Sequence, residues 1–373
     1  MLPELSKYII EKWDILYPDT KRPSKISYMG IAGSIEGGTT TFLAFPDERG
    51  KLAFVVRVPR NSNKINQILA ERDVLLYLHT LSPFLRNSVP KVIVCEKIAD
   101  TVVLVESAVD GKPMLTVLDS DGLPELESTK TNIRLVKEWL VRLNYETKKT
   151  EILLPDLFER YINEQIEKLQ SIFALSKHEQ DYLKQIPTVT KSFRYHKIDL
   201  SLIHGDFCRH NILVSKNKSK CSIRVIDWAF SEKEGFPFYD FFFFLSTFFL
   251  QIRKERGIKG YVKAFRDTYF STNKYSNLVK QYLIEYSQEL KIDLSLIRIF
   301  FALFLIDKAI LEYQQLLSLS GEGFVPGFGI YSSAESAKNK GYHDLLKEQL
   351  WIHFFRMFVK EQKWFIINGK DAT

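Results

Sequence analysis

The chain has 373 residues, of which 45% are hydrophobic and 26% charged, and its formal net charge is +7. These proportions describe a folded globular protein, and the length allows two unequal hydrophobic cores. The positive charges are dispersed, and the basic cluster at residues 216–220 falls on a predicted hairpin tip, which argues against a nucleic-acid partner.

The first third of the chain predicts a small antiparallel sheet with one main helix. Residues 1–18 carry acidic side chains and no small-residue cleavage site, so no signal peptide is expected. A glycine-bearing turn occupies residues 33–41. The segment LAFVVRVPR at 52–60 predicts a strand with Arg57 in its interior, and INQILAERDVLLYLH at 65–79 predicts a helix that carries Glu71.

The middle of the chain changes from strand to helix. A β-branched segment at 101–107 predicts another strand, and the Asp-Gly-x-Pro sequence at 110–113 predicts a turn after it. Residues 112–197 are mostly helical by pattern. The clearest case is TNIRLVKEWLVRLNYE at 131–146, which has an apolar face at helical spacing.

Residues 201–240 contain the pattern with the clearest chemical meaning. Asp206 and Asn211 lie in an HGDxxxxN segment, and Asp227 follows sixteen residues after the Asn in a strand-like IDW. Moving a γ-phosphoryl group to a hydroxyl needs a carboxylate base and oxygen ligands for Mg²⁺. Asp206 suits the first role, and Asn211 and Asp227 suit the second. A predicted hairpin over 212–226 would return Asp227 to the loop, although buried Asp–His pairs often only brace a loop.

Two residues between the base and the metal ligand are further candidates. Arg209 and His210 are placed to offset charge on the γ-phosphate, and the structural alternative is that one packs while the other faces solvent. Cys208 in the same loop is expected to pack. The three cysteines show no CxxC or CxxH pairing, which favours a reducing cytoplasm.

The apolar run at 238–252 requires a membrane test. Charged residues leave about a dozen apolar positions, fewer than the ~20 that span a bilayer, so a buried helix is predicted. The stretch 296–317 is also apolar but contains four charged residues. We therefore expect no membrane span. A Gly- and Ser-rich segment at 319–336 is a possible loop beside the acceptor pocket.

The segment at 204–240 resembles the aminoglycoside phosphotransferase and choline kinase-like family of small-molecule kinases. It matches the HGDxxxxN pattern, the IDW segment, and then a glycine and a proline before another Asp, here Gly235, Pro237 and Asp240. The resemblance implies a bilobal, protein-kinase-like α+β fold with ATP and Mg²⁺ as cofactors. Residues 1–105 would form a small antiparallel-sheet lobe, and 106–373 a mainly helical lobe. Asp240 would brace the catalytic loop, or only cap the following helix.

The resemblance also assigns roles to the N-terminal elements. A kinase small lobe holds phosphates with a glycine-bearing turn, a basic strand residue and a helical Glu. The candidates here are Gly37, Gly38 and Thr39 in the turn, Arg57 on the strand and Glu71 on the helix. An ordinary turn and a surface ion pair are the alternatives.

Two further positions follow from the resemblance. The family hinge implies that main-chain groups between Glu106 and Ala108 contact adenine, although an ordinary interdomain turn predicts the same residues. Many family members have a His where this chain has Asn144, and the departure puts the role of that His in doubt. Arg57 stands where protein kinases have Lys, and members of the resembled family often have Arg there. Arg stays charged and can bind phosphate oxygens with a planar fork.

The predicted function is ATP-dependent phosphorylation of a hydroxyl on a small molecule, such as a sugar, amino alcohol or aminoglycoside-like acceptor. The absence of an HRD…DFG…APE set argues against a protein substrate. Two rival hypotheses are a catalytically silent nucleotide-binding regulatory module and an assembly protein that uses the helices at 296–365. The acceptor, the choice between ATP and GTP, and the oligomeric state remain open.

Overall fold

The computed structural model describes residues 1–31, 39–47, 51–114, 118, 125–217, 220–250, 258–319 and 349–361. The chain divides into two compact units. The first, here the sheet unit, contains Met1–Met114, His204–Asp206 and His210–Ser231; the second, here the helical unit, contains Leu115–Ile203, Phe207–Arg209 and Glu232–Thr373. The predicted domain boundary after residue 105 stays a prediction, because compactness does not test which parts fold alone.

The sheet unit is built on a five-stranded antiparallel sheet of order β1-β2-β3-β5-β4. Its strands are β1 Ile26–Ile31, β2 Thr39–Pro46, β3 Phe54–Pro59, β4 Val92–Ile98 and β5 Thr101–Ser107. The helices of this unit are α1 Leu2–Glu11, α2 Trp13–Leu16, α3 Ile65–Thr80 and α4 Pro83–Arg86. A 3₁₀ turn, Ser62–Lys64, precedes α3.

The N-terminal helices α1 and α2 share a core with the sheet. Successive strand residues point to opposite faces, so Phe54, Val56 and Val58 of β3 lie on one face and Arg57 on the other. The first face shares a buried core with residues of the N-terminal helices, including Ile9. The core members are Leu5, Ile9, Trp13, Ala44, Phe54, Val56, Val58, Val94, Ile98, Val103 and Val105.

A second, three-stranded sheet carries the predicted catalytic hairpin. Its order is β10-β9-β6, with β6 Lys112–Pro113, β9 Ile212–Asn217 and β10 Lys220–Val225. The β9–β10 register pairs Ile212 with Val225. The N–H of Ile226 then donates to the carbonyl of Asn211 at 3.0 Å. The hairpin thus places Asp227 beside the loop that ends in Asn211, as the sequence predicted.

The helical unit combines long helices with a small antiparallel sheet of order β11-β8-β7. The strands are β7 Thr150–Leu153, β8 Lys197–Ile203 and β11 Glu232–Gly235. The helices are α5 Leu126–Thr147, α6 Leu154–Leu157, α7 Asn163–Ile172, α8 Lys177–Ser192, α9 Tyr239–Leu250, α10 Ile258–Tyr269, α11 Lys274–Glu289, α12 Ile297–Leu319 and α13 Leu350–Glu361. A π-helical turn, Phe158–Ile162, joins α6 to α7.

Aromatic side chains fill the core of the helical unit. The phenylalanine run predicted as a buried helix forms α9, and its rings contact those of α12, as between Phe242 and Phe301 at 4.8 Å between centroids. On α10, Phe265 stacks on Phe354 of α13 at 4.1 Å. Within the described residues, no helix is long and apolar enough to span a bilayer. The predicted combination of a small antiparallel sheet with a mainly helical C-terminal part is confirmed.

Candidate active site

Asp206 and Asn211 are joined within the loop that precedes β9. The Asn211 side-chain amide donates to the Asp206 carboxylate at 3.0 Å and to the Asp206 carbonyl at 2.9 Å. Asn211 is only 9% exposed, so its orientation is held by its surroundings. Because the amide nitrogen is directed at Asp206, the amide oxygen of Asn211 points elsewhere and retains its capacity to bind a cation.

His204 has a structural role in this loop. Its Nε2–H donates to the carbonyl of Ile226 at 3.0 Å, and its Nδ1 accepts the N–H of Asp206 at 3.3 Å. One nitrogen donates and the other accepts, which corresponds to a neutral imidazole in a single tautomer. The ring also lies 4.7 Å from that of Trp228. His204 therefore connects the loop of Asp206 and Asn211 to the segment that holds Asp227.

Gly205 is required by the backbone at the centre of the HGD motif. Its φ is +81°, in the left-handed region. A Cβ added there would lie 2.1 Å from the carbonyl oxygen of Phe230. Both the conformation and the close approach exclude a side chain.

Asp227 adopts a left-handed backbone conformation that its neighbours hold in place. Its φ is +68°, which is uncommon for a residue other than glycine. On one side Ile226 is bonded to Asn211. On the other side, the N–H of Trp228 donates to Oε1 of Glu71 at 2.8 Å. Bonds to both flanking residues hold the backbone at Asp227, and Arg57 donates to its carboxylate.

Arg57 lies among three carboxylates within the sheet unit. Its Nη1 donates to Oδ1 of Asp227 at 3.0 Å. Its Nε lies 3.5 Å from Oε1 of Glu71 and 3.6 Å from Oε2 of Glu106. The side chain of Arg57 is 8% exposed, and those of Glu71 and Glu106 are 1% and 3% exposed. The predicted pair of Arg57 and Glu71 is thus a buried contact, extended by a third acidic group.

The charges in this cluster perturb one another strongly. Burial opposes the charge of Arg57, but the nearby carboxylates of Glu71, Asp227 and Glu106 outweigh it and raise its pKa. Burial also raises the pKa of Glu71 and that of Glu106, although Arg57 acts in the opposite direction on both. One guanidinium cannot fully compensate three carboxylates, so the buried pair Glu71 and Glu106 binds protons more readily than exposed glutamates do.

Two main-chain N–H groups of the segment predicted to contact adenine are bonded within the sheet unit. The N–H of Ala108 donates to the carbonyl of Ala53 at 2.9 Å, and the N–H of Ser107 donates to that of Lys91 at 2.8 Å. Glu106 is paired with Val55 in the β3–β5 ladder. Adenine contact through the main chain of Glu106 and Ala108 stays a prediction, and the described hydrogen bonds would compete with it.

The remaining predicted site residues occupy the following positions. Thr39 begins β2 and is 8% exposed, whereas Gly37 and Gly38 lie outside the described residues. Arg209 and His210 begin the 3₁₀ turn Arg209–Asn211, with Arg209 partly buried and His210 exposed. Burial lowers the pKa of Arg209. Their predicted roles remain untested by these positions.

Asn144, at the position where many members of the resembled family have His, belongs to a partly buried hydrogen-bond network in the helical unit. Its side-chain N–H donates to the hydroxyl of Tyr286 at 3.0 Å and to the carbonyl of Leu140 at 2.8 Å. Its carbonyl oxygen accepts from the Ser201 hydroxyl at 2.7 Å. Asn144 therefore connects α5, β8 and α11. Sequence reasoning noted the substitution but missed this network.

Sequence reasoning also missed two acidic contacts. The side chain of Glu106 was not assigned a role, although a lone Glu in the apolar segment VVLVES was a usable signal. The bond from the Trp228 N–H to Glu71 had no signal in the sequence, because the two residues are 157 positions apart.

The model of the phosphotransferase enzyme family, APH, matches residues 37–275. Aminoglycoside phosphotransferase APH(3'')-Id from Streptomyces rimosus is similar at 13% identity and a TM-score of 0.41, covering 72% of this chain and 87% of that chain. Its complex with ADP and streptomycin gives 15% identity and a TM-score of 0.38, covering 77% and 92%. Aminoglycoside-3'-phosphotransferase of type VIII gives 13% identity and a TM-score of 0.36, covering 76% and 99%.

No curated protein sequence matches the chain significantly. The family match confirms the resemblance inferred from residues 204–240, and together with the observed architecture it confirms the predicted kinase-like α+β fold class. Because the family model extends over more than half of the residues, the chain belongs to the phosphotransferase enzyme family.

Proposed function

We propose that this protein transfers the γ-phosphoryl group of ATP to a hydroxyl of a small molecule. The observation that carries the proposal is the gathering of Asp206, Asn211, Asp227 and Arg57 in the sheet unit, joined by hydrogen bonds from Asn211 to Asp206 and from Arg57 to Asp227. These residues supply a base, two oxygen ligands and a cation, which are the groups that phosphoryl transfer uses. Sugars, amino alcohols and aminoglycoside-like molecules are the candidate acceptors.

Asp206 is the proposed base. The bond from Asn211 fixes the carboxylate so that it can orient an acceptor hydroxyl and accept its proton. Arg57 is the proposed phosphate ligand, since a guanidinium binds phosphate oxygens in a fixed, planar geometry. Arg209 and His210 are the proposed residues that offset charge on the transferred group. Gly37, Gly38 and Thr39 are proposed to cover the phosphates through their N–H groups.

The residues present fit a magnesium ion that is shared with a nucleotide. Asn211 offers an amide oxygen and Asp227 a carboxylate that is 36% exposed, and both are hard oxygen ligands. Among the described residues, no group of three or more His, Cys, Asp and Glu side chains is arranged as a protein-only metal site. This agrees with Mg²⁺, which commonly takes one or two protein ligands and completes its coordination with phosphate and water. When bound, Mg²⁺ would neutralise phosphate charge during transfer.

Measuring Mg·ATP-dependent ADP release with a panel of sugars, amino alcohols and aminoglycosides tests the proposal. Asp206→Asn should lower acceptor-stimulated release at least ~10²-fold while ADP binding persists, because only proton acceptance is removed. Asp227→Asn should weaken binding of Mg·ADP more than binding of metal-free ADP. Asp100→Asn, at an exposed turn, serves as the matched control.

The same experiment separates the rival hypothesis of a silent nucleotide-binding module. Nucleotide binding with no acceptor-stimulated release, for every acceptor and at every enzyme concentration, would favour that module. Equal and mild losses in Asp206→Asn and Asp227→Asn would contradict the separate roles given to the two carboxylates.

A further inference from the structure

Strand β5 ends with a buried carboxyl group that the proposed reaction leaves without a role. Glu106 is 2% exposed, and its Oε2 lies 3.6 Å from Nε of Arg57. Its other oxygen, Oε1, is buried and has no hydrogen-bond partner among the described residues. A buried carboxylate oxygen without a donor is costly, so a ligand that donates a hydrogen bond at this position would be favoured.

The main chain of this segment is already engaged. The N–H groups of Ser107 and Ala108 donate to Lys91 and Ala53 at 2.8 and 2.9 Å. Hydrogen-bonded pairs alternate along an antiparallel ladder. Because Ala108 bonds to Ala53, the residue before β3, the same alternation directs the main-chain groups of Glu106 at Val55, its partner in the register. The N–H groups of the segment whose main chain was predicted to contact adenine are therefore bonded within the sheet unit.

We infer that the side chain of Glu106 selects adenine over guanine by accepting a hydrogen bond from the 6-amino group of the base. This inference rests on the proposed function, because it requires the nucleotide base to lie at the end of β5. It assigns base recognition to a side chain, in contrast to the main-chain contact predicted from the sequence.

The geometry of the carboxylate distinguishes the two purines. Guanine presents N1–H and an N2 amino group side by side, and a carboxylate binds this edge with both oxygens. Here Oε2 faces Arg57, which leaves only Oε1 for the base. A single acceptor matches the single 6-amino group of adenine. Guanine and hypoxanthine have a carbonyl oxygen at position 6, and two facing acceptors repel each other.

Calorimetric titration of the full-length protein with ADP, IDP and GDP in Mg²⁺ tests this inference. IDP is the informative ligand, since it carries the 6-carbonyl group without the N2 amino group of guanine. Titrations at pH 8.5 favour the carboxylate form of Glu106, whose pKa burial raises. We expect the wild-type protein to bind ADP at least about 10-fold more tightly than IDP and GDP, as for loss of one hydrogen bond to a charged group.

The substitution Glu106→Gln should remove most of this preference. A carboxamide can accept from a 6-amino group or, after rotation, donate to a 6-carbonyl group, so the ADP-to-IDP ratio should fall to within about 3-fold. The matched control is Glu96→Gln on β4, which removes the same charge from an exposed position of the same sheet and should keep the wild-type ratio.

The outcomes separate this inference from the proposed function. Wild-type protein that binds ADP and IDP equally well would overturn the role of Glu106, whether or not the variant folds, and would leave the phosphotransferase proposal intact. An unchanged ratio in Glu106→Gln would also overturn it. Wild-type protein that binds none of the three nucleotides would contradict the proposed function, and the inference would fall with it.

Discussion

Replacing Arg57 with methionine would remove the cation from the acidic cluster while keeping a side chain of similar length. Glu71 and Glu106, both nearly fully buried, would then lose the guanidinium that lies 3.5 and 3.6 Å from their oxygens. Removing one partner of a buried ion pair typically costs about 3–5 kcal/mol, because the remaining charge is uncompensated. We expect Arg57→Met to lower the free energy of unfolding by this amount at pH 8.

The penalty should depend on pH in a defined direction. In the wild-type protein, burial raises the pKa of Glu71 to about 8, and burial raises that of Glu106 as well. A carboxyl group whose pKa is higher in the folded than in the unfolded protein stabilises the fold fully at pH values below its unfolded-state pKa. This contribution is lost as the pH rises through the folded-state pKa. The slope is about 1.4 kcal/mol per pH unit for each such group. Without Arg57, the pKa values of Glu71 and Glu106 should both rise further.

Urea unfolding at pH 5.5 and pH 8 measures this difference. In the variant, Glu106 should stay protonated over this whole interval in the folded state. The free energy of unfolding of Arg57→Met should then fall by roughly 3 kcal/mol more than that of the wild-type protein when the pH is raised from 5.5 to 8. Arg60→Met, just past the end of β3, removes an exposed arginine and is the matched control. An equal penalty at both pH values would refute the view that Arg57 compensates buried carboxylates.

Three further predictions concern the surroundings of the site. Gly205→Ala should cost roughly 1–3 kcal/mol of stability from the left-handed backbone conformation alone, which urea unfolding measures. It should also abolish turnover in an ADP-release assay, because the new Cβ would lie 2.1 Å from the carbonyl oxygen of Phe230 and displace the loop. Trp13→Ala should destabilise the protein by about 3–5 kcal/mol, since Trp13 is 4% exposed in the core beneath β3; urea unfolding measures this, with Ile15→Ala, at an 80% exposed position, as control. Asn144→Ala should cost about 1–3 kcal/mol in urea unfolding by removing the partner of the Tyr286 hydroxyl, with kcat nearly unchanged; a large fall in kcat with intact stability would instead indicate a role in catalysis.

Much of the candidate site was predictable because its signals are local. The six residues from Asp206 to Asn211 lie in one loop, and the hairpin after them has turn and strand signals that indicate where Asp227 returns. Arg57 and Glu71 were identified because the kinase resemblance requires a basic residue on a strand and a Glu on the next helix, and the segments at 52–60 and 65–79 supply them. The family pattern at 204–240 then connected these segments to one fold.

The side-chain direction of Glu106 was harder to predict. Alternation normally shows which strand residues face the core, but β5 is apolar on both faces at Val103, Leu104 and Val105, so the pattern did not distinguish them. The register of β5 against β3 pairs Leu104 with Arg57, which places Glu106 on the same face as Arg57. That register is a tertiary property that the segment alone does not encode.

The N-terminal helices were missed for a related reason. The residues of α1 gave evidence only against a signal peptide, although Leu5, Ile9 and Trp13 lie at helical spacing. An amphipathic helix shows that it has an apolar face, not which surface covers it. Here the apolar face shares a core with the sheet residues Phe54 and Val56.

The position of the candidate metal ligand depends on a residue outside the motif that contains it. Glu71 of α3 faces Arg57 at 3.5 Å, and the same Oε1 atom accepts the N–H of Trp228, next to Asp227. A single carboxylate oxygen thus contributes to holding both the proposed phosphate ligand and the backbone of the proposed metal ligand. The strained φ of Asp227 needs such support to persist. A chain that kept Asp206, Asn211 and Asp227 but lacked an acceptor at position 71 would retain the motif. It would lack one of the hydrogen bonds that hold the backbone next to Asp227. The contact between α3 and the IDW segment therefore links the proposed phosphate ligand to the proposed metal ligand, which the motif by itself does not specify.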